Sequence, residues 1–315
     1  MDITPKLVKS LRERTNAGMM DCKKALVECQ GDVEKAVDWL RQKGLVSAHK
    51  RAGRAAREGL VQTAQSKDSK KGAIVELNSE TDFVAKMNSF KDIAAALTEY
   101  LVDEAKLPKD LDELLTREPS FNKAYKGKTF GDIITATMSA TGEHVKLRRF
   151  KVLEADDTSM VHSYVHAGGR LAVLLKLSVE KFGPEALELA HNLAMHIAAA
   201  NPLVIKVSDL PQSLLDKETA IYQAKAADEA EARIQKTPPD KKPPDKKMLI
   251  KKIVEGQVKK FHTEVVLLEQ PYVKDPGKTV AELLHVCEPE VGKSKIEAFV
   301  RYLVGEELDG EIKPN

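Results

Sequence analysis

The chain has 315 residues, enough for two or three compact units with their own cores, and its 50 basic and 48 acidic residues nearly cancel, so no strong whole-chain attraction to nucleic acid or an anionic membrane is implied. Three cysteines, Cys22, Cys29 and Cys287, exclude a disulfide framework, and the first two lie too far apart for a paired metal-ligand spacing. No run of about 18 apolar residues occurs and the start Met1-Asp-Ile-Thr-Pro5 carries no apolar leader, so a soluble cytoplasmic protein is expected.

Residues 1–45 read as three short helices. Thr4 and Pro5 start the first, Leu7, Val8 and Leu11 form its inner face, and Thr15, Asn16 and Gly18 end it. The second runs to Gln30 and stops at Gly31; Asp32 caps a third that carries Val33, Ala36, Val37 and Leu40 to Gly44. Most of Leu11, Met19, Ala25 and Leu26 should be core, but Met19 and Met20 cannot easily both face inward on a short helix, so one should be exposed as an adaptable thioether contact. Arg12 and Lys23 can flank that contact. Residues 46–59 hold His49, Lys50, Arg51, Arg54 and Arg57 without aromatic neighbours, the composition of a solvated basic linker rather than a nucleic-acid platform.

From Gly59 the pattern becomes strand, turn, strand, helix: Leu60 to Ala64, a polar turn at 67–71, Ala73 to Leu77, then Phe83, Met87, Phe90, Ala94 and Leu97 at helical spacing. At the junction, Thr81 or Asp82 can cap the helix. Two readings of the corner stand side by side: a capped helix with Phe83 in the core, or a rigid projection offering Asp82 and Phe83 to a partner. The segment 107–128 is charged; Phe130 to Ala140 is helical, ending near Gly142, and His144 to Leu153 alternates as a strand in which Val145 and Leu147 are core or contact residues.

Strand, turn, strand, helix then recurs as Met160 to Val165, Leu171 to Val179 and Pro184 to Ala199, an internal duplication. Ser213 to Gln235 and Met248 to Leu268 make a helical hairpin whose tip holds a tandem Pro-Pro-Asp-Lys-Lys at 238–247, read as extended. Thr279 to Leu284 is a short helix, Ile296 to Val304 a strand completing the second sheet, and the acidic end after Gly305 should be loose. The fold class expected is α+β: a three-helix module (1–45), a basic linker (46–59), two core subdomains (60–153, and 154–210 completed by 269–315) and the hairpin (211–268, tip 237–247).

The sequence has no nucleophile elbow, phosphate-cradling glycine loop, HExxH or paired-cysteine zinc spacing. His191 and His196 lie five apart and do not share a helical face.

Two long segments, Leu11-Arg-Glu-Arg-Thr-Asn-Ala-Gly-Met-Met-Asp-Cys-Lys-Lys-Ala-Leu26 and Glu76-Leu-Asn-Ser-Glu-Thr-Asp-Phe-Val-Ala-Lys86, resemble the signatures of the bacterial translation elongation factor Ts family. Similarity continues through Ser163 to Arg170, Met195 to Pro202, Lys252-Ile-Val-Glu-Gly256, Leu268 to Tyr272 and Asp275 to Val280. The resemblance implies a ubiquitin-associated-like start, a duplicated core and a coiled-coil-like projection. It implies a guanine nucleotide exchange factor, not an enzyme and without cofactor or metal, whose partner is elongation factor Tu, GDP-bound and nucleotide-free. No nucleic-acid or membrane binding is expected, and a dimer of such heterodimers stays open. Thr81, Asp82, Phe83 and Val84 would displace the partner's Mg²⁺, while Arg12, Met19, Met20, Lys23, Val145 and His196 would touch the partner. Met87 stands where many members carry a polar residue. The alternative reading is a helical interaction scaffold or RNA-associated protein.

Overall fold

The computed structural model describes residues 3–15, 17–51, 54–119, 121–236 and 244–308. Three helices come first, α1 (Pro5–Thr15), α2 (Met19–Glu28) and α3 (Val33–Arg51). Their core is Val8, Leu11, Cys22, Ala25, Leu26 and Ala36, and the Asp32 side chain accepts from the Lys35 N–H as the start of α3 requires. Helix α3 runs past Gly44 to Arg51, so much of the stretch expected as linker is helical. A single glycine costs about 1 kcal/mol relative to alanine in a helix, too little to end one by itself.

Strands β1 (Glu58–Gln65) and β2 (Lys71–Ser79) lead into a one-turn helix α4 (Asp82–Lys86) and the long α5 (Asn88–Asp103). After α6 (Leu111–Leu115) and α7 (Phe130–Thr141), β3 (Lys146–Glu154) returns to the sheet, giving the antiparallel order β1-β2-β3. Strand β2 is buried on both faces. On one side Val75 and Leu77 meet Phe90, Ile93, Ala94, Leu97 and Leu101 of α5 and Phe130 and Ile134 of α7; each large apolar side chain buried here contributes roughly 1.5–3 kcal/mol. On the other, Ile74 packs with Val61, Val161, Ala172, Leu174 and Tyr302.

The strand, turn, strand, helix order recurs in β4 (Ser159–Val165), β5 (Leu171–Val179) and α8 (Pro184–Ala200). Helices α9 (Gln212–Gln235) and α10 (Lys246–Val265) form the hairpin, joined by Ala226, Ala230 and Phe261 and by a Tyr222–Phe261 edge contact. Asp245 caps α10 through the Met248 N–H, so the last two lysines of the second Pro-Pro-Asp-Lys-Lys are already helical, because proline restricts only the residues around itself. Residues 237–243 of the tip lie outside the described residues. The short strands β6 (Pro271–Tyr272) and β7 (Asp275–Thr279), helix α11 (Val280–Val291) and strand β8 (Ser294–Leu303) complete the chain. The second sheet is ordered β4-β5-β8, and the fold class is α+β. The chain divides into two compact units, 1–176 with 299–315, and 177–298.

A buried charge cluster anchors the end of the first unit. A bulge between Glu76 and Leu77 places Arg148 as an extra residue in β3, so Arg148 and Arg149 both reach the fully buried Glu76, at 3.1 and 2.7 Å. The Gly305 N–H donates to the same carboxylate at 2.9 Å, and Glu306 binds Arg149 at 2.5 Å. The end expected to be loose after Gly305 is therefore tied down at Glu306; residues 309–315 lie outside the described residues.

Candidate functional site

The corner between β2 and α4 projects from the first unit and is held by two glutamates that cross over each other. Helix α7 ends at Gly142, whose φ of 78° is the left-handed turn that glycine permits. The next residue, Glu143, accepts from the Thr81 N–H at 3.0 Å and from the Thr81 hydroxyl at 2.6 Å. In return Glu80 accepts from the His144 N–H at 2.7 Å. That backbone hydrogen bond, with Arg54 nearby, holds the Glu80 carboxyl below its usual range. His144 Nδ1 meets the Arg54 carbonyl at 2.9 Å, and the Ser79 hydroxyl donates to the Thr81 carbonyl at 2.8 Å. Charge-assisted bonds of this kind are about twice as strong as neutral ones, so the corner is fixed at its base.

Neither Thr81 nor Asp82 caps the helix through its side chain. The Thr81 hydroxyl is taken by Glu143, and Asp82 sits inside the first turn, paired with Lys86 at 2.5 Å. The Lys86 ammonium lowers the Asp82 pKa from its ordinary value. Both side chains are largely exposed, so the pair adds little to stability.

Phe83 is 79% exposed. The continuous stripe expected from Phe83 to Leu97 is broken at Met87, where ψ of 138° ends α4 and a new helix starts at Asn88. In one unbroken helix Phe83 would share the inner face of Phe90, seven residues on. The break turns Phe83 and Met87 outward while Phe90, Ala94 and Leu97 pack inside. The reading of Phe83 as a core residue is corrected by this break. Val84, by contrast, is buried with Ala85 and seats the corner on the core.

On the three-helix module Met19 and Met20 are both exposed, at 53% and 75%, so Met19 is not the core residue expected. The small core is already filled by Leu11, Cys22, Ala25 and Leu26. Arg12 and Lys23 are exposed as well, and Val27, unremarked in the sequence, adds another apolar side chain to the surface of α2. Val145 is buried and belongs to the core of the first unit.

His196, expected at a contact surface, is fully buried in the second unit. Its Nδ1 accepts from the Val273 N–H at 3.2 Å, which leaves Nε2–H to donate to Gln270 Oε1 at 3.0 Å. Gln270 Nε2 then donates to the carbonyls of Ala200 and Glu264. Burial pushes the His196 pKa below its ordinary value, against the opposing bond to Gln270. The histidine joins the ends of α8 and α10 to the β6–β7 turn; its helical stripe position, three residues after Leu193, already marked an inward side chain.

The family model described as "Elongation factor TS" matches residues 80–306, beginning inside this corner. Proteins named elongation factor Ts from Clostridium perfringens (strain ATCC 13124) and Clostridium botulinum (strain Eklund 17B) are 43% and 42% identical over 308 residues, covering 98% of this chain and 94% of each relative. The chain belongs to the elongation factor Ts family. As a member it is a translation elongation factor. A relative from Clostridium novyi is 41% identical over the same span. The family match thus includes Glu80, Thr81 and Glu143 together, the residues that hold the corner. Among the described residues no helix is long and apolar enough to cross a membrane.

Proposed function

We propose that the protein is a cytoplasmic guanine nucleotide exchange factor that binds GDP-bound elongation factor Tu and promotes GDP release by contact alone, without chemistry of its own. The observation that carries this reading is Phe83, an exposed aromatic ring at the tip of a corner whose base is fixed by Glu143 and Glu80. An aromatic held out this way fits an anchor that inserts into a partner.

A G protein holds GDP largely through phosphate contacts and a Mg²⁺ that bridges phosphate oxygens to protein ligands. Phe83 is the wedge between supporting elements of the partner, and Asp82 the polar group that reorganises the contacts behind the metal. Thr81 and Val84 act from below, through the Glu143 clamp and the core. Arg12, Met19, Met20 and Lys23 supply a second contact that adds affinity, with residues 1–45 as the module that presents it. The burial of Val145 and His196 suits positioning roles for them rather than direct contact. By linkage, the factor weakens GDP binding only as much as GDP weakens its own binding, and GTP loading then follows concentration.

The experiment is capture of purified elongation factor Tu by this protein with and without nucleotide and magnesium. Retention that strengthens when both are removed supports the reading; equal retention in all conditions, or none, contradicts it.

A further inference from the structure

The segment Lys252-Ile-Val-Glu-Gly256 lies on α10, outside everything assigned to exchange. Helix α10 carries six lysines, at 246, 247, 251, 252, 259 and 260, against the two glutamates Glu255 and Glu264. Three of the lysines have carboxylate partners: Lys246 with Glu231 at 3.0 Å, Lys251 with Glu255 at 3.9 Å and Lys260 with Glu264 at 3.7 Å. Among the described residues Lys247, Lys252 and Lys259 make no ion pair.

Two of these form a pattern. Lys252 and Lys259 lie four residues before and three after Gly256, so all three share one face of the helix. That face is exposed, and apart from the adjoining backbone of α10 itself and the two neighbouring residues nothing lies within 4 Å of the place a Cβ would take at Gly256. The other side of α10 is occupied by the hairpin contact through Phe261. A glycine in mid-helix costs about 1 kcal/mol relative to alanine, and here it leaves the backbone open between two lysines whose Cα positions are about 10 Å apart along the axis.

We propose that this notch binds the phosphate backbone of RNA. Exposed lysines flanking bare backbone fit an anionic chain that approaches closely. Such a chain lying along the helix can meet the two lysines through separate phosphates. A protein partner fits less well, since protein interfaces are depleted in lysine and enriched in aromatic anchors, and Met248 is the large apolar side chain exposed along α10. With no aromatic ring on this face to stack a base, binding is independent of sequence. The overall charge of +2 hides this surface because it sums the whole chain, whereas α10 alone carries six lysines against two glutamates.

The test is binding of a fluorescent oligouridine RNA to the full chain over a salt series starting at about 50 mM, for wild type, Lys252→Gln/Lys259→Gln, Lys247→Gln/Lys251→Gln and Gly256→Gln. The first pair should reduce the slope of log K against log salt by about 1.4, the value for two single-strand phosphate contacts. Gly256→Gln should weaken binding by closing the notch, with its helicity retained by circular dichroism. Lys247→Gln/Lys251→Gln should change the slope less, because those lysines lie nine and five residues before Gly256 and so off its face of the helix. No binding by wild type, or equal slopes for the two lysine pairs, overturns the proposal. Loss of elongation factor Tu capture with an unchanged RNA slope reassigns the notch to a protein contact. Retained GDP exchange in Lys252→Gln/Lys259→Gln keeps this test separate from that of the exchange reading.

Discussion

Glu143 grips Thr81 at two points, its backbone N–H at 3.0 Å and its hydroxyl at 2.6 Å, from a turn 62 positions away in the chain. The clamp transfers the rigidity of the sheet and α7 to a five-residue helix too short to be stable alone. Removing it should loosen the corner without emptying the core. Glu143→Ala is expected to cost about 1.5–3 kcal/mol in denaturant unfolding, the range for hydrogen bonds to a charged group. It should also raise the concentration needed for half-maximal GDP release. Glu143→Gln, which keeps one acceptor oxygen, should fall between the two; an exchange curve for Glu143→Ala identical to wild type would show that the clamp does not position the corner.

Glu76 supports the same strand from inside. Glu76→Ala leaves Arg148 and Arg149 without their buried carboxylate and should destabilise by about 3–5 kcal/mol. Glu306→Ala removes a partner that is about a quarter exposed, so its cost should be clearly smaller. Chemical denaturation of the two variants checks the order, and equal losses would contradict the buried position of Glu76.

Much of this architecture is legible in the sequence because it follows from local spacing. The steps of three and four from Phe90 to Leu97 mark the inner face of α5, and Thr279 with Glu282 forms the capping box that starts α11. What is not legible depends on partners distant in the chain. Nothing near Thr81 indicates that Glu143 takes its hydroxyl, and apolar spacing alone cannot reveal the break at Met87, since a methionine suits a helix interior as well as its end. The end at Glu306 reads as a loose acidic tail until the bulge at Arg148 brings two arginines toward it. For the proposed site, the exposure of Phe83 agrees with the projecting reading of its motif, while the burial of His196 and Val145 depends on packing between distant segments.

His196 gives the second unit a pH dependence. The unfolded imidazole titrates near about 6.5, and burial holds the folded one lower. As the pH falls below about 6.5 the unfolded chain takes up a proton that the folded unit refuses, so stability present at neutral pH is lost toward acid. Protonation would also turn Nδ1 into a donor facing the Val273 N–H. Thermal melts should therefore move down between about pH 7.5 and 5.5, and His196→Gln should be less stable at the upper pH but show a flatter dependence. An unchanged dependence in the variant would remove His196 as its source.

The most direct test of the exchange account is stimulated GDP release from elongation factor Tu by wild type, Asp82→Ala and Phe83→Ala across a magnesium series, with a melt of each free protein. Phe83 is exposed, so Phe83→Ala should melt close to wild type, whereas truncating a buried core phenylalanine costs about 3–5 kcal/mol. Its exchange activity should fall strongly at millimolar magnesium, and the advantage of wild type over both variants should shrink once EDTA has stripped the metal. A large melting loss for Phe83→Ala, or an exchange defect that persists undiminished without magnesium, would contradict the assignment of this corner to displacement of the partner's metal.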